Sequence, residues 1–200
     1  MSLATALRDA RSLLAVAALV LVLAWQIPSV LAQSEAVESR FRILEASTRL
    51  VDEVYLLDAR VAFDFTPEAI EALESGVPLV VELQIEVYEP RDMLWDSSVA
   101  KLYQRHRIEY RALADRYLLT NLNTGELGNH TSLASALTAL GRVRDFPMLD
   151  RRLLRVGVRY GARLRAGLDV EALPLPLRPV AYLSSAWDLT SEWHDWLLTP

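Results

Sequence analysis

The 200-residue chain contains no cysteine. Thiol chemistry, disulfide staples and cysteine-based metal sites are therefore excluded, and whatever folds here is held by its core. Histidine is nearly as scarce. His106, His130 and His194 stand apart, with no HxH or HExxH spacing that would set two of them on one face of a strand or helix. The seven glycines form no GxSxG elbow, no GxGxxG turn and no phosphate-cradling loop. A surplus of positive charge is missing as well: the net charge is −5, the wrong sign for a nucleic-acid binder. No internal repeat, low-complexity tract or long linker divides the chain. On these absences the expectation is a protein that is not an enzyme and that uses no cofactor or metal.

What is present begins at the N-terminus. Arg8 and Arg11 precede an apolar run over residues 13–25, followed by Pro28 and the small-residue ending Val30-Leu31-Ala32. A basic start, a short apolar centre and an A-x-A-like end form the pattern of a secretory signal, with cleavage expected after Ala32. The rival reading is an uncleaved anchor, for which the run is short of the roughly 20 residues a span needs. Both readings export residues 33–200, with the periplasm as the expected location and membrane contact only through the N-terminal segment if it is retained. Removal of 32 residues leaves 168 of the 200, enough for one domain with its own core. The segment carries Arg8, Arg11 and Asp9, so 19 basic face 25 acidic residues in the remainder.

The dominant period beyond it is two. Tyr55, Leu57, Ala59, Val61, Phe63 and Phe65 alternate with Leu56, Asp58, Arg60, Ala62 and Asp64; Leu79, Val81, Leu83, Ile85 and Val87 alternate with Val80, Glu82, Gln84 and Glu86. Val156, Val158, Tyr160, Ala162, Leu164, Ala166 and Leu168 alternate with Gly157, Arg159, Gly161, Arg163, Arg165 and Gly167. Each pattern predicts a half-buried strand with one wet face. A looser alternation over 99–111 sets Leu102, Ile108 and Tyr110 opposite Lys101, Arg105 and Arg107, and weaker strands are expected at 41–50, 117–122 and 186–193. Two segments turn helical. Thr66-Pro67-Glu68 supplies an N-cap, a first-turn proline and an early acid, with Gly76 as the stop. Thr131 or Ser132 opens the second, with Leu133, Ala136, Leu137 and Leu140 on one face and Gly141 beyond. A helical turn near 147–154 is also expected. The prediction is a mainly β (α+β) fold: an antiparallel sandwich of seven to eight strands, immunoglobulin-like as one option, with two or three short helices. A single curved sheet with helices on one face is the alternative.

Three surfaces stand out as partner or ligand candidates. The first is basic, with Arg159, Arg163 and Arg165 on one strand and Lys101, Arg105 and Arg107 on another. It reads either as an anion-binding patch or as charges paired with Glu82, Gln84 and Glu86 of a neighbouring strand, and pairing is favoured. The second is the strip Leu173-Pro174-Leu175-Pro176-Leu177-Arg178-Pro179, where alternate prolines predict an extended path. A recognition strip built on Pro174, Pro176 and Arg178 competes with a plain crossover. The third is the aromatic C-terminus, where Tyr182, Trp187, Trp193 and Trp196 either line a binding platform or close the core. His194-Asp195 near Ser184-Ser185 is too ordinary a combination to argue for a triad.

Several of these segments carry a resemblance. Val54-Tyr55-Leu56-Leu57-Asp58-Ala59, Leu73-Glu74-Ser75-Gly76-Val77-Pro78-Leu79, Tyr117-Leu118-Leu119-Thr120-Asn121-Leu122-Asn123-Thr124-Gly125-Glu126 and the run ending Ala181-Tyr182-Leu183-Ser184-Ser185-Ala186-Trp187 resemble a family of proteobacterial exported proteins, domain of unknown function 4390. The likeness covers essentially all of the exported domain. It implies an exported protein of this size, encoded in some members near a two-component sensor kinase, whose outer portion is one partner it suggests. The family has no assigned activity or catalytic residue to carry over. The function expected is a non-enzymatic envelope interaction module, with a carrier of an apolar or anionic envelope molecule as the alternative and a hydrolase of envelope polymers as a lesser one.

Overall fold

Period-two segments become strands of two antiparallel sheets in the computed structural model, which describes residues 41–91 and 96–198. The expected signal segment and the expected cleavage after Ala32 lie outside the described residues. One sheet has the order β1-β2-β7, built from β1 (Phe41–Val51), β2 (Val54–Phe63) and β7 (Arg142–Asp150). The other has the order β6-β5-β4-β3-β8-β9, built from β3 (Leu79–Glu89), β4 (Ser97–Arg111), β5 (Arg116–Asn121), β6 (Leu127–His130), β8 (Gly161–Leu168) and β9 (His194–Leu197). The expected antiparallel sandwich with short helices is what forms, with nine strands among the described residues rather than seven or eight. Its connectivity is not the immunoglobulin one, in which the third and fourth strands sit in opposite sheets. Here β3 to β6 run as a meander in one sheet, and β8 and β9 add to its other side.

The alternation explains the core. Leu79, Val81, Leu83, Ile85 and Val87 of β3 are all fully buried, together with Leu164 of β8 and Leu57 of β2, in one cluster that spans both sheets. Each such side chain contributes about 1.5–3 kcal/mol by leaving water. Phe41 packs edge-on against Phe63, ring centres 4.9 Å apart. Trp196 Nε1 on β9 donates to Thr48 Oγ1 on β1 at 3.2 Å, a polar tie between the sheets.

Helix α1 (Pro67–Glu74) begins as the residues predict: Thr66 Oγ1 accepts from the Ala69 N–H, and Pro67 occupies the first turn. Gly76, at φ +88, closes it. Helix α2 (Leu133–Leu140) is capped by Ser132 and ends at Gly141 for a different reason. Gly141 lies against β2, where its carbonyl accepts from Val61 N–H at 2.9 Å and a Cβ would stand 2.2 Å from the Val61 oxygen. Among the described residues, no helix is long and apolar enough to cross a membrane.

Four segments depart from the sequence-based expectation. Strand β8 starts at Gly161, not Val156; the preceding residues form a loop in which Val156 is fully exposed and Gly157 takes φ +81. The segment 147–150 is strand, Pro147 being tolerated because β7 is a sheet edge, and only Arg151–Leu153 make a single 3-10 turn. Residues 186–193 are not a strand. Ser185–Trp187 form a 3-10 turn, Thr190 makes one isolated bridge to Gly167, and pairing resumes at His194. Finally, the proline strip does not run extended. Leu177 N–H bonds back to the Pro174 carbonyl at 2.9 Å, and helix α3 (Arg178–Leu183) follows with Pro179 in its first turn, where no N–H is missed.

Candidate functional site

Strand β3 lies between β4 and β8, and this placement decides the fate of the basic surface. Glu82 and Glu86 face Arg105 and Lys101 on β4, while Gln84 and Glu86 face Arg165 and Arg163 on β8. Glu86 is only 3% exposed although it projects from the outer face. Lys101 Nζ reaches it at 2.9 Å, Arg163 Nε donates to it at 2.8 Å, and Gln84 Nε2 donates at 2.8 Å. Burial works against its charge, but the hydrogen bonds from Lys101 and Arg163 outweigh it, and its pKa falls below the usual glutamate value. Arg105 is held by Asp169 and stands 3.6 Å from Glu82. Burial raises the Glu82 pKa, with Arg105 opposing and Asp169 reinforcing the shift. Arg107 lies 3.7 Å from Glu109 on its own strand. Carboxylates therefore neutralise four of the six cations, and for three of them, Lys101, Arg105 and Arg163, the pairing is the predicted cross-strand one.

Two of the six cations fall outside that lattice. Arg159 is not on β8 and does not share a face with Arg163 and Arg165; it sits in the loop ahead of the strand. The sequence period runs through Gly157 and Gly161 without a break, so alternation alone could not show that pairing begins only at Gly161. Arg165 stays on the outer face with no carboxylate within 4 Å among the described residues. Its guanidinium lies 5.0 Å from the Trp193 ring centre, and that of Arg163 lies 4.7 Å from the same ring.

Beside Arg165 the outer face opens into a cleft of about 680 Å3. Its floor is Glu82, Gln84, Arg165 and Gly167, and its walls come from residues 168–171, 181–185 and 187–190. Local chemistry builds those walls. Asp169 caps the 3-10 turn Val170–Ala172, accepting from the Ala172 N–H at 3.2 Å. Arg178 Nε donates to the Leu173 carbonyl at 2.9 Å, and Tyr182 bonds to Glu171. Thr66 Oγ1 donates to the Ala186 carbonyl at 2.8 Å, which ties the wall to the start of α1. Ser191 exchanges bonds with Ala166, N–H to carbonyl at 2.8 Å and Oγ from N–H at 2.9 Å, so this segment lies along β8 without being a regular strand.

The rim is apolar and wet. Leu183, 90% exposed, and Tyr182, also exposed, line the cleft, while Leu175, 73% exposed, and Val180 stand exposed on the same segment outside its lining. Pro174 and Pro176 are exposed in the turn before α3, and Arg178 is half-buried. The tryptophans divide: Trp187 is buried in the core, Trp196 packs half-buried between the sheets, and Trp193 covers Arg163 and Arg165. Tyr182 of the aromatic C-terminus does line the cleft, while sequence reasoning missed Asp169 and Glu171 as wall residues. They lie in short turns with no period to mark a face.

No histidine lines the cleft. His194 stands 6.2 Å from the Trp196 ring, and His130 Nδ1 is 3.2 Å from Ser135 Oγ. His106 is on the inward side of β4, two residues from Gln104. His106 Nδ1 and Gln104 Oε1 are both buried with no hydrogen-bond partner, and burial lowers the His106 pKa. Ser184 and Ser185 share the cleft with Asp188 and Glu82, but no histidine joins them to make a Ser-His-Asp arrangement.

The profile of the family described as a domain of unknown function (DUF4390) matches residues 38–197, which takes in both sheets and the whole cleft. The chain belongs to that family. No curated protein and no solved structure matches the chain. For this DUF4390 member, chemistry has to be argued from the side chains themselves.

Proposed function

We propose that this DUF4390 chain is an exported, non-enzymatic interaction module of the cell envelope whose cleft holds a segment of a partner protein. The observation that carries the reading is the exposed apolar pair Tyr182 and Leu183 in the wall of a cleft that contains an unpaired guanidinium, with Leu175 and Val180 exposed on the same segment. Exposed apolar side chains grouped beside a cavity are the usual mark of an interface. Burying Leu175 and Leu183 under a partner would contribute about 1.5–3 kcal/mol each, before the costs of association. Arg165, already flattened on Trp193, is positioned to take an acidic residue in a bidentate pair. The segment suited to this cleft is one with apolar residues flanking a carboxylate, and the outer portion of an envelope sensor kinase is one source.

The test is a photo-crosslinking residue introduced at Leu183 in cells, with one at Leu113, which is also exposed, as the control. A partner captured at 183 but not at 113, and lost on Leu175→Asp or Arg165→Glu, is the expected result. Equal capture at both positions, or none at 183, ends the proposal. Fractionation adds a check on export: the chain is expected in the periplasm with Gln33 at its N-terminus. A second reading, a hydrolase of envelope polymers, is favoured by one observation, the presence of Glu82 with its raised pKa and Asp188 in the same cleft. Turnover of a cell-wall glycan that disappears in Glu82→Gln would support that reading over binding.

A further inference from the structure

The loop between β7 and β8 reads Arg151-Arg152-Leu153-Leu154-Arg155-Val156-Gly157-Val158-Arg159, and it folds over a second hollow of about 710 Å3. This hollow shares no lining residue with the cleft above. Two chemistries meet in it. Its interior is bounded by Tyr55, Tyr160 and Leu198, all buried, with Leu154 and Val158 half-buried beside them. Five charged side chains line it, and four of these are arginine, Glu53 being the exception. Outside the hollow, Leu153 stands 71% exposed, and Val156 on its edge is fully exposed, forming an apolar collar.

The charges are only partly satisfied. Arg151 lies 4.0 Å from Glu53, Arg152 pairs with Asp150 and Arg155 with Glu89, while Arg159 has no carboxylate within 4 Å among the described residues. Four arginines against three carboxylates leave a surplus of one positive charge. That balance suits a ligand with a single negative charge better than a polyanion. The walls ask for hydrocarbon, since water against half-buried Leu154 and Val158 and exposed Val156 gains few hydrogen bonds and is released favourably. Arginine is suited to the head because its planar fork pairs with carboxylate or phosphate and is less strongly hydrated than an ammonium.

We propose that this hollow binds a single-chain anionic amphiphile. The head, a carboxylate or a monoanionic phosphodiester, sits at the arginine rim with Arg159 as its main partner. The acyl chain lies against Tyr55, Tyr160 and Leu198. A fatty acid and a monoacyl phospholipid share this chemistry and are separated by the test.

The experiment uses the full chain and a palmitic acid bearing a photoreactive diazirine, with adducts mapped by peptide mass spectrometry. Adducts are expected within 151–160 and at Tyr55 or Leu198. Competition by palmitate assigns the site to free fatty acids, and stronger competition by lysophosphatidylglycerol assigns it to phospholipid products; either supports the proposal. Arg159→Ala, at an exposed position, is expected to weaken binding about tenfold. Affinity is expected to rise about 15-fold from decanoate to dodecanoate, roughly fourfold per buried methylene. Leu183→Asp in the cleft leaves all of this unchanged, so failure here and failure of the partner cleft are told apart. Adducts confined to residues 13–25, or labelling within 151–160 that is indifferent to Arg159→Ala and to chain length, overturn the proposal.

Discussion

Glu86→Gln removes one negative charge from between Lys101 and Arg163 while leaving the shape of the sheet intact. In the folded chain the carboxylate takes bonds from Lys101 at 2.9 Å, Arg163 at 2.8 Å and Gln84 at 2.8 Å. Its side chain is 4% exposed, but those of Lys101 and Arg163 are 49% and 32% exposed. Losing a partner in a fully buried pair costs about 3–5 kcal/mol. Here both cations can return to water, which cancels much of that loss, so the expected destabilisation at neutral pH is about 1–3 kcal/mol. Urea unfolding followed by tryptophan fluorescence would show this as a midpoint lowered by roughly 1 M. The pH dependence gives a second reading of the same interaction. Because its folded pKa lies below the ordinary 4.5, Glu86 contributes its full stabilisation above that value and loses it as pH falls through the depressed pKa. The gap between wild type and variant should hold steady from pH 8 to about 6 and shrink below about 4.5. A variant as stable as the wild type at pH 7, or a gap that stays constant on acidification, would refute the view that charge holds this face.

Two further outcomes follow from the packing. His106 has a folded pKa below 6.5 because of burial, so stability should fall as pH drops below that value; NMR titration should find its ring titrating below the ordinary histidine value, and His106→Leu should flatten the loss between pH 7 and 5. Gly141→Ala should destabilise by about 1–3 kcal/mol in urea titrations, because a Cβ 2.2 Å from the Val61 oxygen forces the end of α2 off β2; an alanine variant of wild-type stability would show that the contact relaxes at no cost.

Legibility in the sequence tracked the length of each regular element. In β2 and β3 ten or eleven residues repeat with period two, and every second side chain is in the core, so pattern and structure coincide. The helix caps were equally readable, since Thr66 and Ser132 act on N–H groups three residues away. Strand β6, Leu127–His130, is too short to show a period, and β7 was hidden by Pro147, which an edge strand tolerates. Gln104 and His106 interrupt the apolar face of β4. For the candidate site, the partners Glu82 and Glu86 were legible from their alternation with core residues. The cleft was not, because its walls are turns held by long-range bonds such as Thr66 to Ala186, which no local pattern encodes. Arg159 was misplaced for the related reason that alternation continued past the point where pairing stops.

The acidic stripe on β3 has a consequence for how the sheet assembles. Strands β3 to β6 are neighbours along the chain and can zip up as soon as they emerge, whereas β8 arrives about 70 residues later to fill the open side of β3. Until then that side is an unsatisfied ribbon edge, a template on which any passing chain could add. Glu86 next to Gln84 and Glu82 makes it an edge with a charge code, and Arg163 and Arg165 supply the complement. A shift of two residues that set Arg163 against Gln84 would keep the apolar side inward and give Glu82 an arginine, Arg165, in exchange, but it would move Gly161 off Tyr88, whose ring stands where a Cβ at 161 would be. The late strand's cations suit the acidic edge at any even offset, its leucine and alanines say which way to face, and Gly161 under the Tyr88 ring says where to stop.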